Sequence, residues 1–143
     1  MGALDLKDSS NSELKTKALP SSAVFELSQE FYFEAAHTLE REFEAEGSRR
    51  IHGHTYHAKV SVTGIPDPLR GMVVDLAVLR EEICNVREIL DHQLLDEIQG
   101  LGPATLENLS RFIADAISVR LTVSQVSVSR SASGDSCVLR LND

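Results

Sequence analysis

Apolar side chains fall on alternate positions from Val24 to Ala36. Phe25, Leu27, Phe31 and Phe33 share one parity, which Ala35 and His37 continue. A period of two belongs to a β-strand with one buried face. The same signature returns from Ile51 to Gly64, where His52, His54, Tyr56, Ala58, Val60 and Val62 lie on one parity and Thr55, His57, Lys59, Ser61 and Thr63 on the other. Between these runs, Glu40 to Arg50 is dense in charge and broken at Gly47-Ser48, which predicts an exposed loop or a frayed helix. Ile65-Pro66-Asp67-Pro68 predicts a turn, because two prolines fix φ and remove donors.

The period then changes from two to three and four. After Gly71 and the short apolar run Met72-Val73-Val74, Asp75 can cap a helix whose inner face is Leu76, Leu79, Ile83, Val86 and Leu90. Leu94 to Gly102 predicts a loop, closed by Gly100, Gly102 and Pro103. Thr105 can cap a second helix, with Glu107 in its first turn and Leu106, Leu109, Ile113, Ala116 and Ile117 on its inner face, Phe112 beside them. Leu121 to Ser129 alternates again, with a phase slip near Gln125. Gly134-Asp135 predicts a turn, and Cys137 to Leu141 a last strand.

The order is ββααββ: an α+β fold with a four-stranded antiparallel sheet and two helices on one face. Such a sheet has two open edges, which closure into a barrel by assembly would cover. Residues 1–22, rich in Ser, Lys and Glu and without a period, predict a polar disordered tail. Residues 23–143 predict a single domain.

Composition narrows the class. The 143 residues suit one domain with a core of ordinary size. Fourteen Lys and Arg against 22 Asp and Glu leave a net charge of -8, which disfavours a nucleic-acid partner. No apolar run reaches the roughly 20 residues of a membrane-spanning helix, and the polar N-terminus has no signal-peptide core. The expected location is therefore cytoplasmic, with no membrane partner. Cys84 and Cys137 share no metal-ligand spacing and read as buried structural thiols.

Three histidines carry the strongest chemistry. His52 and His54, at i and i+2 on a strand, point to one face, with Gly53 between them allowing close backbone approach. His37, at the end of the preceding strand, can join them if the two strands pair. Three neutral imidazoles on rigid strands suit an open zinc site with a fourth place for water or substrate. Two histidines at this spacing also arise by chance; the third in reach argues for metal. His57 has the opposite parity and is not expected as a ligand. Asp91-His92 forms a second constellation, in which a carboxylate can orient an imidazole and raise its basicity; the alternative is a cap beside a surface histidine.

Phe33-Glu34-Ala35-Ala36-His37 followed by His52-Gly53-His54 resembles the 6-pyruvoyl-tetrahydropterin synthase / 6-carboxy-tetrahydropterin synthase family. The resemblance continues through Gly71-Met72-Val73-Val74-Asp75-Leu76, Leu90-Asp91-His92 and Thr105-Leu106-Glu107-Asn108-Leu109, in order and spacing, over nearly all the chain after the tail. It is closer to the bacterial 6-carboxy branch, the queuosine-pathway enzymes. The resemblance implies a tunnelling fold, with subunits forming rings around a pore, commonly trimers stacked into hexamers. It also implies zinc on His37, His52 and His54, and a substrate like 7,8-dihydroneopterin triphosphate bound between subunits. In the family zinc polarises the side-chain hydroxyls, and a Cys with an Asp-His pair moves protons; Asp91 and His92 match that pair.

Two positions depart from the pattern. The family Cys, four residues before the first His of the His-Gly-His motif, is Ser48 here. A hydroxyl is far less acidic than a thiol, so Ser48 is a poor proton acceptor unless His92 activates it. The family Glu that anchors the pterin ring is Arg130, an obligate donor of opposite charge. Either Arg130 lines the pocket and favours an acceptor-rich or anionic group, or it points away as a solvated strand end. Glu107 and Asp135 are candidates to replace the lost carboxylate, and Thr105, Glu107 and Arg130 are the candidate substrate-binding positions. Two readings follow: a zinc-dependent lyase acting on a pterin or pterin-like heterocycle with altered chemistry, or a zinc-containing homologue that binds a different ligand and has lost or retuned turnover.

Overall fold

The computed structural model describes residues 19–141. The expected tail lies outside the described residues except at its end, where the Ala23 amide closes a turn on the Pro20 carbonyl at 3.0 Å. Strand β1 (Phe25–His37) pairs antiparallel with β2 (His52–Gly64), and the short helix α1 (Ala45–Arg49) lies in the charged connection between them. Helices α2 (Leu76–Leu90) and α3 (Leu106–Ser118) follow, separated by a single 3-10 turn at Leu95–Glu97. Strands β3 (Val123–Arg130) and β4 (Asp135–Arg140) form the closing hairpin, and the sheet order is β1-β2-β3-β4. The ββααββ order and the antiparallel sheet are those the periodicity predicts. The last strand begins two residues earlier than the apolar pattern suggests.

The inner face of the sheet is the apolar parity. Phe33, Ala35, Tyr56, Ala58, Val60, Val126 and Val128 are buried against Leu79, Ile83, Val86 and Leu90 of α2 and Leu109, Ile113 and Ile117 of α3. Both helices start where their caps predict. The Asp75 carboxylate accepts from the Ala77 amide at 2.9 Å, and the Thr105 hydroxyl accepts from the Asn108 amide at 3.1 Å. The phase slip near Gln125 is a β-bulge: Ser61 faces Gln125 while Val62 faces Val123, so Ser124 is the extra residue, and its hydroxyl donates to the Ser61 carbonyl. The bulge returns both Val123 and Val126 to the core.

Cys84 departs from expectation. It is exposed, because the turn of α2 that buries Ile83 and Val86 carries the intervening residue outward; Cys137 is half-buried.

The β1 edge is covered at its C-terminal end. The Ala36 amide donates to the Gln93 carbonyl at 3.0 Å, the His92 amide donates to the Glu34 carbonyl, and Leu94 bridges Ala36 in parallel. The chain leaving α2 is thereby stitched alongside the strand that ends in His37.

Candidate metal centre

The register sets the site. His37 stands opposite His52, and His54 opposite Ala35, so all three imidazoles leave the inner face at one end of the sheet. They continue the rows Phe33–Ala35–His37 and Tyr56–His54–His52 beyond the reach of the helices. Their ring centroids are 4.6, 5.0 and 4.9 Å apart, and one nitrogen from each lies within 4.8 Å of the others. His37 is buried, and His52 and His54 are half-buried.

Backbone carbonyls set the tautomers. His37 Nδ1 is 3.0 Å from the Ala104 carbonyl oxygen, and His52 Nδ1 is 2.7 Å from that of Arg50. A carbonyl only accepts, so each Nδ1 carries the proton and each Nε2 presents a lone pair. His54 Nε2 lies 3.1 Å from His37 Nε2. Burial, then the Arg130 guanidinium, holds the His54 imidazole down to about 4, so it is neutral at pH 7. Burial also lowers His37. A neutral imidazole needs to lose no proton to take a metal ion, and three converging nitrogen donors suit zinc. Metal chemistry therefore fits these residues.

Two further groups steady His37. Asp96, from the 3-10 turn, accepts from the Thr38 amide at 2.8 Å and from the Thr38 hydroxyl. Burial pushes the Asp96 carboxyl up, but these bonds outweigh it and hold it below the usual range. Neither Asp96 nor the Ala104 carbonyl carries a signal in the sequence, since each acts through a contact made by a loop.

A cavity of about 390 Å³ opens beside the cluster, its lining including Ser48, His52, His54, Arg130 and Asp135. Ser48 is buried at the end of α1, and its hydroxyl donates to the Ala45 carbonyl at 3.1 Å. Arg130 turns inward: Nη1 is 3.5 Å from His54 Nε2, and Nη2 is 2.8 Å from Asp135 Oδ2. The solvated strand end is thus not its place. Ser133 also donates to Asp135 Oδ2, at 2.9 Å. Among the described residues, Arg130 Nε and the Tyr56 hydroxyl are both buried without a partner in hydrogen-bond geometry. Burial pushes the Tyr56 phenol up to about 12, against the pull of the Arg130 guanidinium, so it stays protonated.

The remaining predicted residues lie elsewhere. Thr105 uses its hydroxyl as a helix cap and lines a neighbouring groove of about 500 Å³ with Thr38 and Asp96. Glu107 is exposed in the first turn of α3 and lines neither cavity. His57 stands on the outer face of the sheet beside Tyr32.

Asp91 and His92 stand where the chain leaving α2 runs along the β1 edge. Asp91 Oδ1 accepts from the Glu34 amide at 2.9 Å, and Oδ2 is 2.9 Å from His92 Nδ1. His92 Nε2 reaches toward Glu34 Oε2 at 4.0 Å, on the outer face. The Glu34 amide first, then His92 and Arg87, hold the Asp91 carboxyl below the usual range. His92 has φ of 59°, a left-handed conformation that costs a non-glycine residue energy and recurs at functional sites. Glu34 and His92 are exposed and Asp91 is half-buried; Glu34 and His92 line a cavity of about 540 Å³ that His54 also lines.

Residues 26–140 match the family model described as 6-pyruvoyl tetrahydropterin synthase. The chain belongs to the 6-pyruvoyl tetrahydropterin synthase family. A putative 6-pyruvoyl tetrahydrobiopterin synthase of Caenorhabditis elegans is 40% identical over 75 residues, covering 46% of this chain and 54% of the relative. The 6-carboxy-5,6,7,8-tetrahydropterin synthase of Bacillus subtilis is 36% identical over 73 residues, covering 51% and 47%. The aligned segments thus span about half the length of these curated relatives. The solved C. elegans 6-pyruvoyl tetrahydropterin synthase superimposes with a TM-score of 0.75 at 23% identity, covering 87% of this chain and all of that one. The tunnelling-fold subunit of the synthase family is therefore the fold of this chain.

Proposed function

We propose that this chain is a zinc-dependent lyase of the pterin-synthase type, acting on the side chain of 7,8-dihydroneopterin triphosphate or a related pterin. The observation that carries the reading is the convergence of three imidazoles, two with Nδ1 held by backbone carbonyls, in a member of this family. Zinc, when bound, supplies a Lewis acid for substrate oxygens.

The chain's own residues divide the remaining work. His37, His52 and His54 hold the metal. Asp91 fixes the imidazole of His92, and the pair passes protons. The pair lies at the covered β1 edge, and the family resemblance places substrate between subunits, so it serves a site completed by a neighbouring copy in a homo-oligomer, a trimer-based hexamer. Ser48 occupies the pocket without a proton acceptor's basicity, so the outcome of the reaction differs from that of a thiol enzyme. The presence of Ser48 and the inward turn of Arg130 favour a second reading, a homologue retuned to a more acceptor-rich small molecule.

The test is metal content and turnover on one sample. Zinc near one per chain with a pterin product supports the lyase. Zinc without product from 7,8-dihydroneopterin triphosphate supports the retuned homologue. A folded protein that takes up no zinc refutes both.

A further inference from the structure

His54 Nε2 faces two groups and can serve only one of them as donor or acceptor. His37 Nε2 and His52 Nε2 present lone pairs, since their Nδ1 protons are spent on Ala104 and Arg50. If His54 Nε2 carries a proton for His37, Arg130 Nη1 at 3.5 Å has no acceptor there. If it carries a lone pair for Arg130, two lone pairs face each other across 3.1 Å. A metal ion shared by the three nitrogens resolves the second arrangement. It does so by taking from Arg130 Nη1 the acceptor it had.

Charge points the same way. The cluster is made of three histidines, and among the described residues no carboxylate belongs to it. Asp135 pairs with Arg130 through Nη2 while Nη1 faces His54, and Ser133 shares the same carboxylate oxygen. Arg41 lines this cavity too, but its partner there is Glu44 at 3.5 Å. The guanidinium thus presents its positive end to a site that gains two further positive charges on loading. Like charges this close in a half-buried site repel unless an anion lies between them. A ligand edge made of N–H donors offers Arg130 nothing to bind.

We propose that the loaded site takes an oxyanion, shared between the Arg130 guanidinium and the metal on His37, His52 and His54, so that its substrates carry a carboxylate or phosphate group at this position. The proposal rests on the metal reading above and deepens it by naming the substrate class. Asp135 and Ser133 are positioning residues, holding the guanidinium fork toward the ligand.

Cobalt substitution tests this without turnover. The full chain is loaded with Co²⁺ in anion-poor buffer, and its visible absorption is titrated with acetate and separately with inorganic phosphate. Arg130→Met and Arg130→Lys are titrated alongside. In the wild type, at least one oxyanion shifts the spectrum, and Arg130→Met weakens that binding by about tenfold or more, the scale of a lost charge-assisted hydrogen bond. Arg130→Lys, which keeps the charge and loses the fork, falls between. By linkage, the anion tightens cobalt binding more in the wild type than in Arg130→Met. Preference for acetate marks a carboxylate substrate, and preference for phosphate a phosphorylated one.

Anion affinities equal in all three proteins, or no spectral shift in any, overturn the proposal and leave the metal centre standing. If Arg130→Met does not fold, Arg130→Lys alone decides, by weakened or unchanged anion binding. A wild type that shows no cobalt spectrum overturns the metal reading, and this proposal with it.

Discussion

Replacing Tyr56 by phenylalanine tests the balance of forces under the metal centre. Tyr56 is fully buried, its ring stacked on Phe33 with centroids 5.0 Å apart, and among the described residues its hydroxyl has no partner in hydrogen-bond geometry, the Arg130 guanidinium lying beside it. Burying a hydroxyl without a partner costs about 1–3 kcal/mol. Phenylalanine keeps the ring and the stack. It loses the dispersion contacts of one oxygen, about 0.1–0.2 kcal/mol each and less than about 1 kcal/mol together. Tyr56→Phe therefore stabilises the metal-free protein by about 1 kcal/mol. For a chain of this length that is a rise in Tm of roughly 3 °C. Thermal melts and urea midpoints, with an unchanged m-value, read the effect. A loss of about 1 kcal/mol or more would refute the reasoning, since it would mean that the hydroxyl is held. The neighbouring Arg130 guanidinium is the group in position to hold it. The Tyr56→Phe/Arg130→Met double variant then separates the two cases: coupling within about 0.5 kcal/mol of zero leaves the hydroxyl an orphan.

His54→Ala removes one of three ligands, and zinc per chain after dialysis falls from near one toward zero while the circular-dichroism spectrum is kept. Asp91→Asn alters acid stability. The Asp91 pKa is depressed in the fold, so its contribution is complete above the unfolded value of about 4 and is lost as pH falls through the folded value. The variant accordingly shows a shallower loss of stability below about pH 4 in melts taken across that range. Ser48→Cys combined with Arg130→Glu restores both departures from the family pattern. If those two positions alone retune the site, product from 7,8-dihydroneopterin triphosphate rises by an order of magnitude or more, and no change shows that further positions differ.

Local patterns determined much of this protein. Alternation in the first two strands placed Phe33, Ala35, His37, His52, His54 and Tyr56 on one face, because side chains two apart on a strand must share a side. The periods of three and four, with Asp75 and Thr105 before them, marked both helices through caps that act within three residues. Even the bulge at Ser124 was visible as a slip in phase. The spacing of His52 and His54 made a metal site readable, since i and i+2 is a local relation.

Relations across the chain were decided only by the tertiary structure. The register that sets His37 opposite His52 is a pairing between distant segments. The choice between an inward and an outward Arg130 depended on the hairpin that brings Asp135 to its Nη2. The Asp96 clamp on Thr38, the Ala104 carbonyl on His37 and the seat of Asp91 on the Glu34 amide arise from loops packed on the β1 edge. Sequence periodicity carries the direction of a side chain relative to its own element; which group it meets depends on how elements pack, and that is a property of the whole fold.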